Sequence, residues 1–530
     1  MASRLDLVRR HRADDRLDAT LTGFDPIQIQ AGEATVVADG LWFNPNHFFR
    51  LRLFVEALVR KGERFRLLGL LRSRNDHRAR RALQRIGFSE FVYIDEDAEF
   101  RTDGFLDEAD RLLRGVRTHD ELLQLQLPED VPAYVWYDTV LKLSSHPRPD
   151  LQNPVWRTAL AEALRDIAIY RRELSVRKIS HVALSHPWKT EWATLVWLAL
   201  GRSVPVYHLT GFCEGIRIRR FRTQQDYATP VEHLGRGQFE TLPPRTKELL
   251  SECGRRDLAR RISGTSTDIN ARYAYNASRR IAEREAARMA LSGQTGKPVA
   301  IVYSHVWYDF PHTYAMRNFS DFLDWMSATL DHIRNETDVI WLLKPHPTER
   351  WYGGFYLSDI AKNLPPHVRL LPIDVDNETA LLAADAVVTV HGTVGLEAAA
   401  RGLPVVLADR SYFSDWEIAH VARSRPDYFR LLSGIRDLAA PDNAARARAY
   451  ACFALALAEP PAEGGALRMS CDSTGLPLYP EIERRLKDDR PGLEKEALRI
   501  MDFLNQDEFD SFAAFHLVEN AQRRIVANAA

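Results

Sequence analysis

Two short stretches of this sequence carry residue types whose spacing suits phosphate chemistry. One is Lys344-Pro345-His346-Pro347, directly after the apolar run "DVIWLL"; the other is His391-Gly392-Thr393, with Glu397 four residues beyond Thr393. Two prolines stiffen the first stretch and fix the directions of a cation and an imidazole, which together can neutralise a departing phosphate. In the second, a glycine turn opening into a helix offers free backbone N–H groups to an anion, and Thr393 adds a hydroxyl donor. Glu397 lies one turn further along the same face, where a carboxylate can accept from ribose hydroxyls. Plainer readings of both stretches are a rigid strand-to-loop corner at 344–347 and a solvated surface charge at Glu397.

Further groups sit where strands are expected to end. "SHVWYDFPHTY" (304 to 314) holds His305, Asp309 and His312, a proton-transfer set in which a carboxylate can orient an imidazole that titrates near neutrality. The same loop also reads as polar residues around an aromatic plug of Trp307, Tyr308 and Phe310. In the N-terminal half, "ADGLWFNPNHFFR" brings Asp39, Asn44, Asn46 and His47 to the end of the first strand, with Asp39 or His47 as the candidate base. Arg217, Arg219, Arg220 and Arg222 read either as contacts for an anionic acceptor or as a solvated basic edge strand. Asp374-Val375-Asp376 has the spacing of a metal clamp, yet it directly precedes a helix, where Asp376 serves as an N-cap; no metal is expected. No GxSxG, HExxH, Walker or GxGxxG pattern stands in a convincing context, which argues against hydrolases, zincins, P-loop enzymes and dinucleotide oxidoreductases.

The elements that must position these residues alternate strand and helix. "ATVVAD", "RFRLLGLL", "FVYIDE", "ISHVALSH" and "SVPVYHLTG" are strand candidates in the first half, separated by amphipathic helices. A second series starts at "KPVAIVYSH" and runs through "DVIWLLKPHP", "VRLLP", "VVTV" and "LPVVL". Such alternation predicts parallel sheets covered by helices, with ligands beyond the carboxyl ends of the strands. "ARYAYNASRRIAEREAARMALSG" (271–293) reads as one long helix connecting the halves. The expected organisation is an N-terminal Rossmann-like domain with its linker helix at 1–290, a second Rossmann-like domain at 291–440, and a mostly helical extension at 441–530.

Bulk properties bound the answer without naming a chemistry. At 530 residues, with 45% hydrophobic and 27% charged side chains, the chain is an ordinary globular protein of two or more domains. A formal net charge of −1 gives no global pull toward nucleic acid, so no nucleic-acid partner is expected. Cys213, Cys253, Cys452 and Cys471 are far apart and form no CxxC pair, and read as free thiols. The N-terminus lacks the apolar core of a signal peptide, and "WATLVWLALG" is half of the ~20 residues a membrane span needs. A cytoplasmic location is expected, with peripheral association at the inner membrane left open.

Three segments, "HVWYDFPHTY…FSDFLDWMSATLDHI", "VIWLLKPHPTERWY" and "ADAVVTVHGTVGLEAAARGLPVVLADRSYFS", resemble in order and spacing the bacterial capsule polysaccharide biosynthesis family, which includes transferases of the eight-carbon sugar acid Kdo. "YDTVLKL" (137 to 143) and "SHPWKTEWATLVWLALGRSVPVYHLTGF" are similar to that family's first half. The resemblance implies an α/β GT-B-like fold: two Rossmann-like doubly wound domains facing a cleft, with C-terminal helices. It also implies a nucleotide-sugar donor, CMP-Kdo among the candidates, a glycan or glycolipid acceptor, and no resident cofactor. The family's His-Pro pair maps to His346-Pro347, and its phosphate-binding Gly-Ser/Thr loop to Gly392-Thr393. His391 stands where a second Ser or a Gly is often found, which leaves the nucleotide open. A CDP-glycerol-type glycerophosphotransferase, a sugar-nucleotide 2-epimerase of the same fold and a non-catalytic scaffold of a polysaccharide assembly complex are the alternatives.

Overall fold

The structure, a computed structural model, describes residues 26–210, 216–228, 234–266, 268–313, 316–457, 488 and 490–529. The polar leader, Cys213, Cys471 and the loop-rich stretch 459–480 lie outside the described residues. Two compact units emerge. The first is built from 26–140, 150–227 and 490–516, and the second from 141–149, 228–457 and 517–529.

In the first unit six strands, β1 (Ala34–Asp39), β2 (Phe65–Leu71), β3 (Glu90–Tyr93), β4 (Lys178–Leu184), β5 (Val206–Thr210) and β6 (Arg217–Phe221), order as β3-β2-β1-β4-β5-β6. All pairs are parallel except β5 with β6, which runs antiparallel from Val206↔Phe221 to Thr210↔Arg217. β1 is buried from Thr35 to Asp39 and β4 over its last three residues, Val182 to Leu184, where the strands are covered on both faces. The helix Pro45–Arg60 covers one face with Phe48, Phe54 and Leu58, and the helix Arg490–Leu504 packs on it with Ile500 and Phe503.

The second unit repeats the plan. Its strands β7 (Val299–Tyr303), β8 (Ile340–Lys344), β9 (Val368–Leu370), β10 (Ala386–Thr389), β11 (Val405–Leu407) and β12 (His420–Val421) order as β12-β11-β10-β7-β8-β9, every pair parallel. Counted from the first strand of each sheet, both units have the strand order 3-2-1-4-5-6 of a doubly wound Rossmann-type fold. The order reverses between β1 and β4 in the first unit, and between β7 and β10 in the second.

Two expectations are corrected. The boundaries at 290 and 441 do not hold, because residues 228–290 pack in the second unit and the helix Arg490–Leu504 returns to the first before 517–529 rejoin the second. Helix Pro244–Ile262 lies along helix Asn443–Leu457 at Gly254, where a Cβ would run into the Tyr450 carbonyl. A boundary read along the chain misses such returns. The long helix expected at 271–293 is also broken, into Ile269–Ala274 and Arg284–Ser292. Between them the backbone donates sideways: Asn276 N to Asp376 Oδ2 at 2.7 Å and Ile281 N to Thr379 Oγ1 at 2.9 Å. Those N–H groups satisfy a neighbouring helix start instead of their own i−4 carbonyls.

Candidate functional site

The second unit concentrates its polar side chains at the carboxyl edge of its sheet, around the reversal between β7 and β10. There the helix Thr393–Ala400 starts directly after β10 and ends at Gly402, whose φ of +85° favours glycine. Gly392 is required for a different reason from the tight turn expected. Its φ is −61°, and a Cβ at this position would sit 2.8 Å from Thr389 Oγ1, the same hydroxyl that accepts from Gly392 N at 3.2 Å. Gly395 N donates back to the Gly392 carbonyl at 2.9 Å, and the Tyr412 hydroxyl donates to Thr393 Oγ1 at 3.3 Å.

Glu397 is not a solvated charge. It is 2% exposed, accepts from Arg261 Nε at 3.1 Å and takes the Tyr275 hydroxyl at 2.5 Å. The carboxylate whose spacing suggested a ribose contact is instead paired inside the unit, with both oxygens engaged. Arg261 also donates to Asp268 at 2.6 Å, so a short relay ties the 393–400 helix to the segment before the sheet.

Three imidazoles meet at the same edge, each from the end of a different strand. His305 follows β7, His346 follows β8 and His391 follows β10. The ring of His305 lies 5.9 Å, centroid to centroid, from those of both His346 and His391. His346 is held by its surroundings: its N–H donates to Ser304 Oγ at 3.0 Å, and Nδ1 accepts from Thr348 N at 3.3 Å and lies 2.8 Å from Thr348 Oγ1. A backbone donor on Nδ1 assigns the ring proton to Nε2. His391 is the reverse, because its Nδ1 lies 2.8 Å from the Arg410 carbonyl and so carries the proton, leaving Nε2 as the acceptor. Burial, reinforced by the neighbouring His305, pushes both His346 and His391 down to about 3, so the rings are neutral at ordinary pH. His305 is lowered by burial as well, against the pull of Asp309.

Asp309 belongs to this cluster and brings a partner from far away in sequence. Lys142 Nζ donates to its Oδ1 at 2.7 Å. Burial alone would raise the Asp309 carboxyl, but the Lys142 ammonium and His305 outweigh it and hold the group below its usual range. Around it Trp307, Tyr308 and Phe310 are buried, so the loop is both an aromatic plug and a carrier of polar groups. Trp307 Nε1 donates to Glu349 Oε1 at 3.1 Å and the Tyr308 hydroxyl to the Gly353 carbonyl at 2.7 Å, which braces the β7 loop to the β8 loop.

Lys344 ends β8 and is 1% exposed, with Nζ donating to the Ile373 carbonyl at 3.1 Å. Burial first, and then Arg350, pushes its ammonium down to about 8. Asp376 caps the helix Asn377–Ala383, accepting from Thr379 N at 3.0 Å, and also receives Arg280 Nε at 3.2 Å. The Asp-Val-Asp spacing is thus explained by a helix start. Among the described residues, no group of three or more His, Cys, Asp or Glu is placed to hold a metal ion.

In the first unit Asp39 and His47 stand at the reversal between β1 and β4. Asp39 is fully buried and accepts from Ser185 N at 2.6 Å, Ser185 Oγ at 2.7 Å and Trp192 Nε1 at 2.8 Å. His47 Nε2 lies 3.1 Å from the Asp39 carbonyl and 3.4 Å from its carboxylate, and burial lowers its imidazole against that attraction. Their placement is that of a brace joining the ends of β1 and β4. The arginines of β6 are only in part a solvated edge. Arg220 is 4% exposed and donates to the carbonyls of Gln506 and Phe509 at 2.8 and 2.6 Å.

The cluster thus unites His305, Asp309 and His346, with Gly392 and Thr393 continuing the chain from His391. Sequence reasoning missed His391 as a member of it, although its place directly before Gly392-Thr393 was a usable signal. Lys142, Arg261 and Tyr275 were missed too: a residue 167 positions from its ion-pair partner leaves no local spacing to read.

No protein-family model and no curated protein matches this chain. Among solved structures it is similar to the KpsC beta Kdo 2,4 transferase of Thermosulfurimonas dismutans, at 14% identity over 58% of this chain and 88% of that one, with a TM-score of 0.33. It is also similar to the glycotransferase of kitacinnamycin, at 13% identity over 90% and 99% with a TM-score of 0.24. A third is the UDP-GlcNAc 2-epimerase of Methanocaldococcus jannaschii in complex with UDP-GlcNAc and UDP, at 9% identity over 78% and 97% with a TM-score of 0.27. At these values the likeness assigns no residue and no substrate. Among the described residues no helix is long and apolar enough to cross a membrane.

Proposed function

We propose that this protein is a GT-B glycosyltransferase of surface polysaccharide synthesis, moving a sugar from a nucleotide donor to a glycan or glycolipid acceptor at the cytoplasmic face of the membrane. The observation that carries the reading is the meeting of His305, His346, His391 and the start of the 393–400 helix at the carboxyl edge between β7, β8 and β10. Ligands of open α/β sheets bind at such a reversal of strand order. The sequence resemblance adds the donor class, with CMP-Kdo as the first donor to try.

The chemistry is displacement at the anomeric carbon with a nucleotide phosphate as leaving group. The first N–H groups of the helix and the Thr393 hydroxyl receive the phosphate, and His346 offers Nε2–H as a neutral donor fixed by Thr348. Lys344, at the end of the neighbouring strand, adds positive charge. His305 with Asp309 forms the proton-transfer pair that takes the acceptor's hydroxyl proton. Glu397 contributes by holding the helix in place through Arg261.

A CDP-glycerol-type glycerophosphotransferase would use the same edge: attack of the acceptor hydroxyl on the glycerol-bearing phosphorus also expels CMP, so CMP binding is common to the two and the intact donor CDP-glycerol separates them. The test is a thermal-shift titration against CMP, CDP-glycerol, UDP and GDP, repeated with His346→Ala. Stabilisation by CMP that the variant loses supports the sugar-acid transferase. A preference for CDP-glycerol over CMP moves the reading to glycerol phosphate, and one for UDP or GDP moves it to another donor sugar. No shift with any of the four removes the reading and favours a scaffold.

A further inference from the structure

The segment 141–149 packs in the second unit although the chain on either side of it belongs to the first. Four contacts pin it. Lys142 Nζ donates to Asp309, the Ser145 carbonyl lies where a Cβ on Gly354 would stand, the His146 ring meets Phe355 at 5.2 Å, and Arg148 Nε and Nη2 reach Asp321 Oδ2 at 3.1 and 3.0 Å. Each contact falls on a part that carries or supports the site: the β7 loop, the β8 loop, and the N-cap of helix Phe322–Ile333.

The first contact coincides with backbone strain. Phe310 has a φ of +55°, a region that a bulky side chain enters only where its surroundings hold it there. The Lys142 ammonium lies 5.6 Å from the centre of the Phe310 ring and 5.8 Å from that of Tyr308, while bonding the carboxylate between them. One cation therefore grips all three residues of the strained turn, by an ion pair in the middle and a ring on each side.

We propose that Lys142 is a positioning residue of the site: it clamps the 308–310 turn and so fixes the Asp309 carboxylate beside His305. Without the clamp the 308–310 turn is released and the Asp309 carboxylate loses its fixed place beside His305. The charged and titratable groups facing His305 are Asp309, Lys142, His346 and His391. Of these Asp309 favours the protonated imidazole and Lys142 opposes it by its own charge, so positioning shows in whether Asp309 still acts on His305 once Lys142 is gone. The inference rests on the proposed reaction only for what the turn is used for.

The experiment is read without any nucleotide, so failure of the nucleotide reading and failure of this one are distinguishable. The rate of His305 modification by diethyl pyrocarbonate, followed by peptide mass spectrometry, is measured against pH in the wild type, Lys142→Met and Lys142→Arg, each with and without Asp309→Asn. The expected result is that Asp309→Asn moves the profile downward in the wild type and in Lys142→Arg and leaves it nearly in place in Lys142→Met. An equal downward displacement by Asp309→Asn in Lys142→Met, or none in Lys142→Arg, overturns the proposal. If Lys142→Met does not fold, the milder Lys142→Gln is read in the same way.

Discussion

Arg261 and Glu397, 136 positions apart, form a buried ion pair that fastens the helix of the proposed phosphate site to the helix Pro244–Ile262. Removing one partner of such a pair leaves an uncompensated buried charge. Arg261→Ala is therefore expected to lower unfolding free energy by about 3–5 kcal/mol, and Arg261→Met with Glu397→Leu to recover much of that loss. Denaturant unfolding of the single and double variants checks it; additive losses would count against the pairing. Glu397→Ala should also weaken nucleotide binding, through the loosened helix.

Acidification should destabilise the protein before its carboxylates titrate. His346 and His391 have folded values pushed from 6.5 to about 3, so the unfolded chain binds more protons between those limits. Their contribution is fully present above 6.5 and is lost as pH falls toward 3. Asp309, held below its ordinary value, adds a second loss only beneath the carboxylate range. Melting temperature followed from about pH 7.5 down to about pH 5 should fall, and His391→Gln should flatten the fall. A wild-type melting temperature constant over that interval would contradict the assigned neutral rings.

Gly254→Ala is expected to be far more damaging than glycine-to-alanine in an ordinary helix. The new methyl would meet the Tyr450 backbone carbonyl, and backbone cannot swing aside as a side chain can. Overpacking of this kind costs about 1–3 kcal/mol and occasionally more. Gly237→Ala, where nothing lies within 4 Å, is the control and should be close to neutral in the same melt.

Gly392→Ala tests the phosphate turn more gently. Its Cβ would press on the Thr389 hydroxyl at 2.8 Å, a side chain able to rotate, so folding should survive with a loss of about 1 kcal/mol. Nucleotide affinity should fall at least tenfold, because Gly392 N loses its Thr389 partner and the start of the helix shifts. Unchanged affinity in calorimetry would move the phosphate elsewhere.

Much of the fold could be read from local pattern. Buried strands such as "VVTV" and "VAIVY" are continuous apolar runs between turn residues, and their alternation with amphipathic helices left one class of architecture. The Lys344–His346 corner and the Gly392–Thr393 turn were legible because each is set by adjacent residues. What was not legible depends on distance along the chain. Helix 271–293 has every local mark of a helix, but Asp376 and Thr379, a hundred residues on, take its backbone donors. Glu397 read as a ribose contact because the cation that pairs with it, Arg261, lies in another element.

The return of helix Arg490–Leu504 to the first unit bears on how the protein is made. Ile500 and Phe503 share a core with Phe48 and Phe54, and Arg220 grips the carbonyls at 506 and 509. A ribosome working at about 5–20 residues per second finishes β6 and then needs on the order of tens of seconds to deliver that helix. Through that interval the nascent N-terminal sheet has its apolar helix face uncovered, while the second unit's strands are emerging beside it. The order of translation therefore leaves the first-made half incomplete for the longest time, which makes it the part of the nascent chain that most needs shielding by a chaperone.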